Sequence, residues 1–312
     1  MVRTRVVQSL FAHYQNPGKT MLSTRKELLK SFADTYDLYF ALLDFTNVLT
    51  AYAQQQMDEQ AARARAMHTF WNPNKRFVQN RFAQQLFDNR ALRRRVEEQH
   101  LSWESDMTAV ADIYKKLTEK EFYKDYMMAM HNGYEDDRNL WRRIYQHLLP
   151  DNASLHDALS EMEVVLDKTN WDTDAEIVLS YVVKTVKRFN EQSTPDTELL
   201  PMFDDESEVQ FATDLLQKTM DNRDKCEELI NAHLKGWDAD RIAYMDRIIL
   251  CTALTEIMEF PEIALTVSMN EYIELAKEYS GDKSYMFING ILTEILRDLQ
   301  HDDQLIKAAA LK

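Results

Sequence analysis

An all-α protein is what this sequence predicts, and three observations predict it. The chain of 312 residues holds only 5 glycines and 6 prolines, too few for the tight hairpins of a sheet protein. Apolar residues recur at three- and four-residue steps from the first residues to the last. Helix start and stop signals bracket those runs. Hydrophobic residues are 45% and charged residues 29%, a globular balance with enough chain for one large or two small cores.

The first run is residues 2–15. Val6, Val7, Leu10, Phe11 and Tyr14 make its apolar side, Arg3, Arg5 and Gln8 lie on or beside the polar side, and Pro17-Gly18 ends it. Neither Gly nor Pro then occurs before Pro73. Leu29, Phe32, Tyr36, Tyr39 and Leu43 predict a long amphipathic helix that continues toward Met67. Residues 75–195 keep helical spacing through Phe77, Phe82, Leu86, Phe87, Ile113, Leu117, Leu140, Trp141 and Ile144. Two short signals echo each other there, Trp103-Glu-Ser-Asp106 and Trp171-Asp-Thr-Asp174. Ser105 or Asp106 and Thr173 or Asp174 are the expected N-caps. Trp71, Trp103, Trp141 and Trp171 are expected to be core anchors rather than a surface on which nucleic-acid bases stack.

After the acidic loop between Pro195 and Pro201, one helix is expected from Asp204–Glu208 through Leu216, Cys226 and Leu234, closed by Gly236. Three more follow. Asp238 caps a helix with Ile242, Met245, Ile249, Ala253 and Ile257 on one side and Pro261 at its end. Ser268 and Glu271 have capping-box spacing for the next, with Leu275, Ala276 and Tyr279 apolar and Gly281 at the exit. Ser284 caps the last, striped by Phe287, Ile288, Ile291, Leu292, Ile295 and Leu299. Gly290 in that stripe would let another helix come close.

Composition also excludes function classes. No run reaches the roughly 18 apolar residues of a membrane span, and no signal-peptide core precedes residue 15. Cys226 and Cys251 read as reduced core thiols of a cytoplasmic protein. There is no glycine-rich phosphate loop, no nucleophile–base motif and no metal-ligand spacing among the 8 histidines, so neither catalysis nor a cofactor is expected. Glu97-x-x-His100 is a lone pair without the further ligands a di-iron site needs, and Asp136-Asp137 and Asp204-Asp205 read as caps or loop charges. Net charge is −15, but its distribution is uneven. Arg63, Arg65, Lys75, Arg76, Arg81 and Arg90 to Arg95 make the first third basic, and the acid lies mostly after residue 100.

Four strings in the last third carry a resemblance: Met245-Asp-Arg-Ile-Ile-Leu, Ala253-Leu-x-Glu256, Asn270-Glu-x-Ile-Glu-Leu-Ala-Lys277 and Phe287-Ile-Asn-Gly-Ile-Leu292. Arg5-Val-Val-Gln8-Ser-Leu10-Phe11 adds a weaker one at the front. Together they resemble the NusB family of bacterial transcription antitermination factors, over residues 205–300 and more weakly over the first 15. The resemblance implies a NusB-like helical bundle from residues 1–20 and 200–300, enlarged by a long all-helical insertion at 21–199 and followed by a tail at 301–312. It implies a protein that binds boxA-like single-stranded RNA together with the small-subunit ribosomal protein NusE, as part of a transcription elongation complex. On that resemblance Arg3, Arg5, Gln8, Lys283, Ser284 and Phe287 are the RNA-binding residues, and Asp246, Arg247, Glu271 and Glu274 the partner-binding ones. The arginine cluster that usually opens the family is reduced here to Arg3 and Arg5, and Lys283 stands where the family often carries an acid. The alternative is a helical interaction module that kept the bundle without RNA binding. The sequence leaves a homodimer open.

Overall fold

A computed structural model describes residues 1–131, 133–203, 205, 207–234, 242–279 and 284–301. The described residues form fourteen helices and no strand. They divide into two compact units, residues 1–30 with 203–312, and residues 31–202. α1 (Val2–Gln15) and the opening of α2 (Met21–Ala66) belong to the first unit, and the division falls within α2.

The first unit is completed by α10 (Ser207–Asp221), α11 (Arg223–Ala232), α12 (Tyr244–Glu259), α13 (Leu265–Tyr279) and α14 (Ser284–His301). α12 is its central helix and packs against α1, α10, α11, α13 and α14. Every residue from Ile248 to Ile257 is buried, so the middle of this helix has no solvent face. α14 buries Ile288, Ile291, Leu292, Ile295 and Leu299 as its spacing predicts, with Phe287 half-buried.

Several expectations are corrected here. The helix expected from Asp204 to Leu234 breaks at Asn222, whose amide Nδ2 donates to the Lys218 carbonyl at 3.0 Å. α12 starts at Tyr244, so Ile242 precedes it. α13 starts at Leu265, because Leu265 itself is buried, and this places Ser268 inside the helix rather than at its cap. A Cβ on Gly290 would meet nothing within 4 Å, so no close helix approach uses it. Asp204, Gly236, Asp238, Gly281 and Lys283 lie outside the described residues.

The second unit holds the rest of α2 with α3 (Arg81–Asp88), α4 (Arg90–Glu98), a 3-10 turn (Glu104–Asp106), α5 (Met107–Glu119), α6 (Glu121–Met128), α7 (Tyr134–His147), α8 (Ala153–Val165) and α9 (Trp171–Arg188). Leu38 to Leu43 are all buried, followed by Phe45 and Leu49. Here α2 is enclosed rather than amphipathic. Its backbone is tied in from outside: Trp171 Nε1 donates to the Asp34 carbonyl at 2.8 Å, Trp103 Nε1 to Ala41 at 3.1 Å and Tyr145 Oη to Leu42 at 2.7 Å. Side chains add to this. Asp37 takes Arg95 at 2.6 Å and Lys168 at 2.7 Å, and Asp34 takes Thr169 at 3.0 Å. Two of the three fully buried indoles, Trp103 and Trp171, thus avoid the cost of about 1–3 kcal/mol of an unpaired N–H in an apolar site, whereas Trp141 Nε1 has no partner among the described residues.

Trp103, Trp141 and Trp171 are therefore core anchors, but Trp71 is only half-buried. The proposed caps fare differently. Asp106 is the N-cap of α5 but its side chain caps no amide and accepts instead from Ser105 Oγ at 2.6 Å, whereas Asp174 lies inside α9 and accepts from Thr35 Oγ1 at 2.7 Å. The open amides of Asn170 and Trp171 at the start of α9 go instead to the Glu163 carboxylate, both at 2.9 Å. Asp136 is a cap, accepting from Gly133 N at 2.8 Å. Asp137 is not a loop charge: it is fully buried and takes Arg81 Nε and Tyr126 Oη at 2.8 Å each.

Candidate functional site

The first helix carries the front half of the expected site, and its polar side turns inward. Arg3 donates from Nε and Nη2 to the two oxygens of Glu256 at 2.8 and 2.9 Å. Glu256 is fully buried on α12 and also accepts from Ser268 Oγ at 2.6 Å and Tyr272 Oη at 2.8 Å, both on α13. One carboxylate thus fastens α1, α12 and α13 together with four hydrogen bonds. Bidentate arginine–carboxylate geometry of this kind fixes orientation as well as energy. Burial works against the charge on Arg3, but the Glu256 carboxylate more than offsets it and the guanidinium pKa is raised. Burial, and then the neighbouring Glu256 charge, push the Tyr272 phenol well above its ordinary value, so it stays a donor. Arg3 also reaches Glu271 at 3.6 Å and lies over the Phe211 ring at 5.3 Å.

Arg5 is buried, and its Nη1 donates to Gln8 Oε1 at 2.8 Å. Gln8 in turn donates from Nε2 to Tyr279 Oη at 2.9 Å, at the end of α13. Ser284 opens α14 five residues after Tyr279, a chain length that spans at most roughly 18 Å. Ser284 and Phe287 are both partly exposed. Gln8, Ser284 and Phe287 thus belong to α1 and α14 of the same unit, whereas Arg3 and Arg5 hold α1 down.

The expected partner residues do not form one cluster. Asp246 and Arg247 sit in the first turn of α12, ten residues and so roughly 15 Å along the helix from Glu256. Asp246 is 4% exposed, and its Oδ1 has no hydrogen-bond partner among the described residues. Arg247 donates to Glu227 at 2.6 Å. Glu271 lies beside Arg3 instead, and Glu274 is exposed and paired with Lys277 at 2.6 Å.

Residues that sequence reasoning passed over carry most of the geometry. Glu256 had a signal, a carboxylate between Thr255 and Ile257 in an otherwise uncharged run from Ile248 to Ile257. Tyr272 and Tyr279 had none, because a tyrosine on a helix says nothing about which distant group its hydroxyl meets. Cys226 and Cys251 are buried free thiols, as expected. His100 lies past the end of α4 with φ of 54°, so it does not share a helix face with Glu97. Among the described residues no group of three His, Cys, Asp or Glu is placed to hold a metal ion, and no helix is long and apolar enough to cross a membrane.

Comparison with known proteins adds what geometry cannot. The NusB family matches residues 175–297, which takes in most of α9 as well as the closing helices, an earlier start than the strings at 205–300 suggested. The transcription antitermination protein NusB of Salinibacter ruber is 37% identical over 133 residues, covering 40% of this chain and 82% of that protein. NusB of Bacillus licheniformis is 38% identical over 106 residues, 34% of this chain and 82% of its own length. NusB of Bacillus subtilis is 40% identical over 97 residues, 31% and 74% respectively. No solved structure matches. With most of a curated relative's length aligned at this identity, the chain belongs to the NusB family.

Proposed function

We propose that this chain acts in transcription antitermination by binding boxA-like single-stranded RNA together with the ribosomal protein NusE, without catalysis. The observation that supports the reading is the Gln8–Tyr279 hydrogen bond, which joins α1 to the chain just before Ser284. Ser284 and Phe287, with Lys283 beside them in sequence, then offer a hydroxyl, a ring and a cation to unstacked bases and phosphate, while Gln8, bonded to Arg5 and Tyr279, ties α1 to α13. Arg3 and Arg5 serve this face by orienting α1 rather than by contacting phosphate. Of the residues expected to meet a basic protein partner, Asp246, Arg247, Glu271 and Glu274, we assign that contact to Glu274, the most exposed carboxylate of the four, because Asp246 is buried and Arg247 is paired with Glu227.

The test is RNA affinity measured with boxA-like and scrambled RNA at several salt concentrations, with and without NusE. Lys283→Glu weakens boxA binding and reduces the salt slope by about 0.7 for one lost phosphate contact. Glu274→Lys weakens capture of NusE and leaves RNA binding by the chain alone unchanged. Equal affinity for boxA and scrambled RNA in the presence of NusE overturns the reading. Binding to neither RNA selects the interaction module without RNA binding, which the net charge of −15, the Arg3–Glu256 pair and the burial of Arg5 favour.

A further inference from the structure

A second charged and aromatic surface lies in the other unit, on a stretch that the family match does not reach. No acidic residue occurs between Glu59 and Asp88, in a chain with 52 acidic residues. That interval instead holds Arg63, Arg65, Lys75, Arg76 and Arg81, with Phe70 and Trp71 among them. The structure shows how these are displayed. α2 ends at Ala66, and His68 takes a left-handed φ of 53°. The amide of Thr69 then folds back onto the Ala64 carbonyl at 2.9 Å. This turn holds Phe70 beside the last turn of α2, where Arg63 and Arg65 sit. Phe70 is 93% exposed and Met67 73% exposed, and Trp71 is half-exposed.

The far end of the segment is pinned as well. Asn74 Nδ2 donates to the Met127 carbonyl at 2.6 Å, and Arg76 donates to Ala129 at 2.7 Å and His131 at 2.9 Å. The Arg76 guanidinium also covers the Tyr126 ring at 4.4 Å. So the rings are presented on a braced turn, not on a loose tail. Arg65 and Lys75 are exposed and make no ion pair among the described residues, while Arg63 makes only a loose 3.7 Å contact with Glu59. Exposed rings of this size next to unneutralised cations suit a polyanion that carries flat apolar groups. Single-stranded RNA has that chemistry: cations track its phosphates and rings stack on its bases without reading sequence. A purely apolar partner gains nothing from the arginines.

We propose that residues 63–76, with Met128 and Met130 at the rim, form an accessory contact for single-stranded RNA that lacks sequence preference. It does not depend on the boxA reading, because it uses different residues in a different unit. The experiment takes the full chain and a labelled uridine tract without any boxA element, alongside a short boxA-like RNA with no flanking nucleotides. The wild type binds the uridine tract. Phe70→Ala with Trp71→Ala weakens that binding at least about tenfold, and Phe70→Ala alone gives a smaller loss in the same direction. Arg65→Ala with Lys75→Ala lowers the salt slope by about 1.4, two single-strand contacts. Both variants melt at the wild-type temperature, and neither changes affinity for the short boxA-like RNA. Failure of the wild type to bind the tract, or tract binding unchanged in the variants, overturns the proposal. So does a concentration-dependent dimer that the ring variant dissolves while tract binding stays intact, which would make the surface a contact between copies. Loss confined to the short boxA-like RNA in the wild type would sink the boxA reading and leave this one standing.

Discussion

The two units solve one problem, a helix that must sit in the middle, in opposite ways. In the first unit the central helix α12 carries its own anchor: Glu256 sits among Leu254, Thr255 and Ile257 and draws Arg3, Ser268 and Tyr272 onto itself. In the second unit the enclosed part of α2 is held mainly by groups that reach in from elsewhere, two indoles, a phenol, Arg95 and Lys168. The first arrangement concentrates the cost of failure in one residue, and the second spreads it. The difference teaches what the two arginines of α1 do. Its arginines are spent on geometry.

If the contrast holds, the largest effect of any single change belongs to Glu256. Glu256→Leu leaves a guanidinium and two hydroxyls without their acceptor in the interior. Removing one partner of a buried pair costs about 3–5 kcal/mol. Glu256→Gln keeps the shape and one of the two acceptor oxygens but turns an amide NH2 toward donors, so it costs less than Glu256→Leu without being neutral. Hydrogen exchange is the measurement: amides of α1 and α13 lose protection in Glu256→Leu, while those of α7 and α9 keep it. Unchanged α1 protection would mean that the hub is not what holds the front helix.

A smaller effect is expected for any one tie in the second unit. Trp171→Phe keeps most of the apolar ring but removes the donor to the Asp34 carbonyl and leaves a small void. One lost neutral hydrogen bond is about 1 kcal/mol, and the void adds a comparable amount. The readout is the urea midpoint of the full chain. A loss as large as that of Glu256→Leu would show that the second unit is not braced by many independent contacts.

Some of this was legible in the residues and some could not be. The closing helix was read nearly whole, because Ser284 and the stripe from Ile288 to Leu299 are local signals. The long reach of α2 followed from a stretch without Gly or Pro. Ser268 and Glu271 were misread as a capping box because that i, i+3 spacing is equally at home inside a helix. The inward turn of Arg3 was invisible for a different reason: its acceptor lies 253 residues away in the chain. The same holds for Gln8 and Tyr279, 271 apart. Periodicity shows which side of a helix is apolar, but it cannot show that a polar side is also covered. Asp246 was expected on the family pattern to contact the protein partner, and it is buried at the start of α12.

The least of the expected effects separates the units by sign. In the second unit His156 Nε2 meets the Pro150 carbonyl at 2.7 Å and Nδ1 meets Asp172 at 2.5 Å. The carbonyl first, then the carboxylate, raise its pKa above the ordinary 6.5. Its protonated form is thus favoured in the folded chain, so its contribution is complete below about pH 6.5 and is lost as pH rises through the raised value. In the first unit His13 meets Thr24 Oγ1 at 2.7 Å, and burial, then the nearby cations Lys19 and Arg223, lower its pKa. Protonating it is disfavoured in the folded chain, so the first unit weakens as pH falls through 6.5. Both imidazoles are partly solvated, so each effect is small. Hydrogen exchange between about pH 5.5 and 7.5 (one unit either side of 6.5) should show the slow amides of α8 and α9 opening more readily toward high pH, and those of α1 toward low pH, after correction for intrinsic exchange. His156→Gln removes the first trend and leaves the second. The same sign of trend in both units would undo the assignment of either histidine.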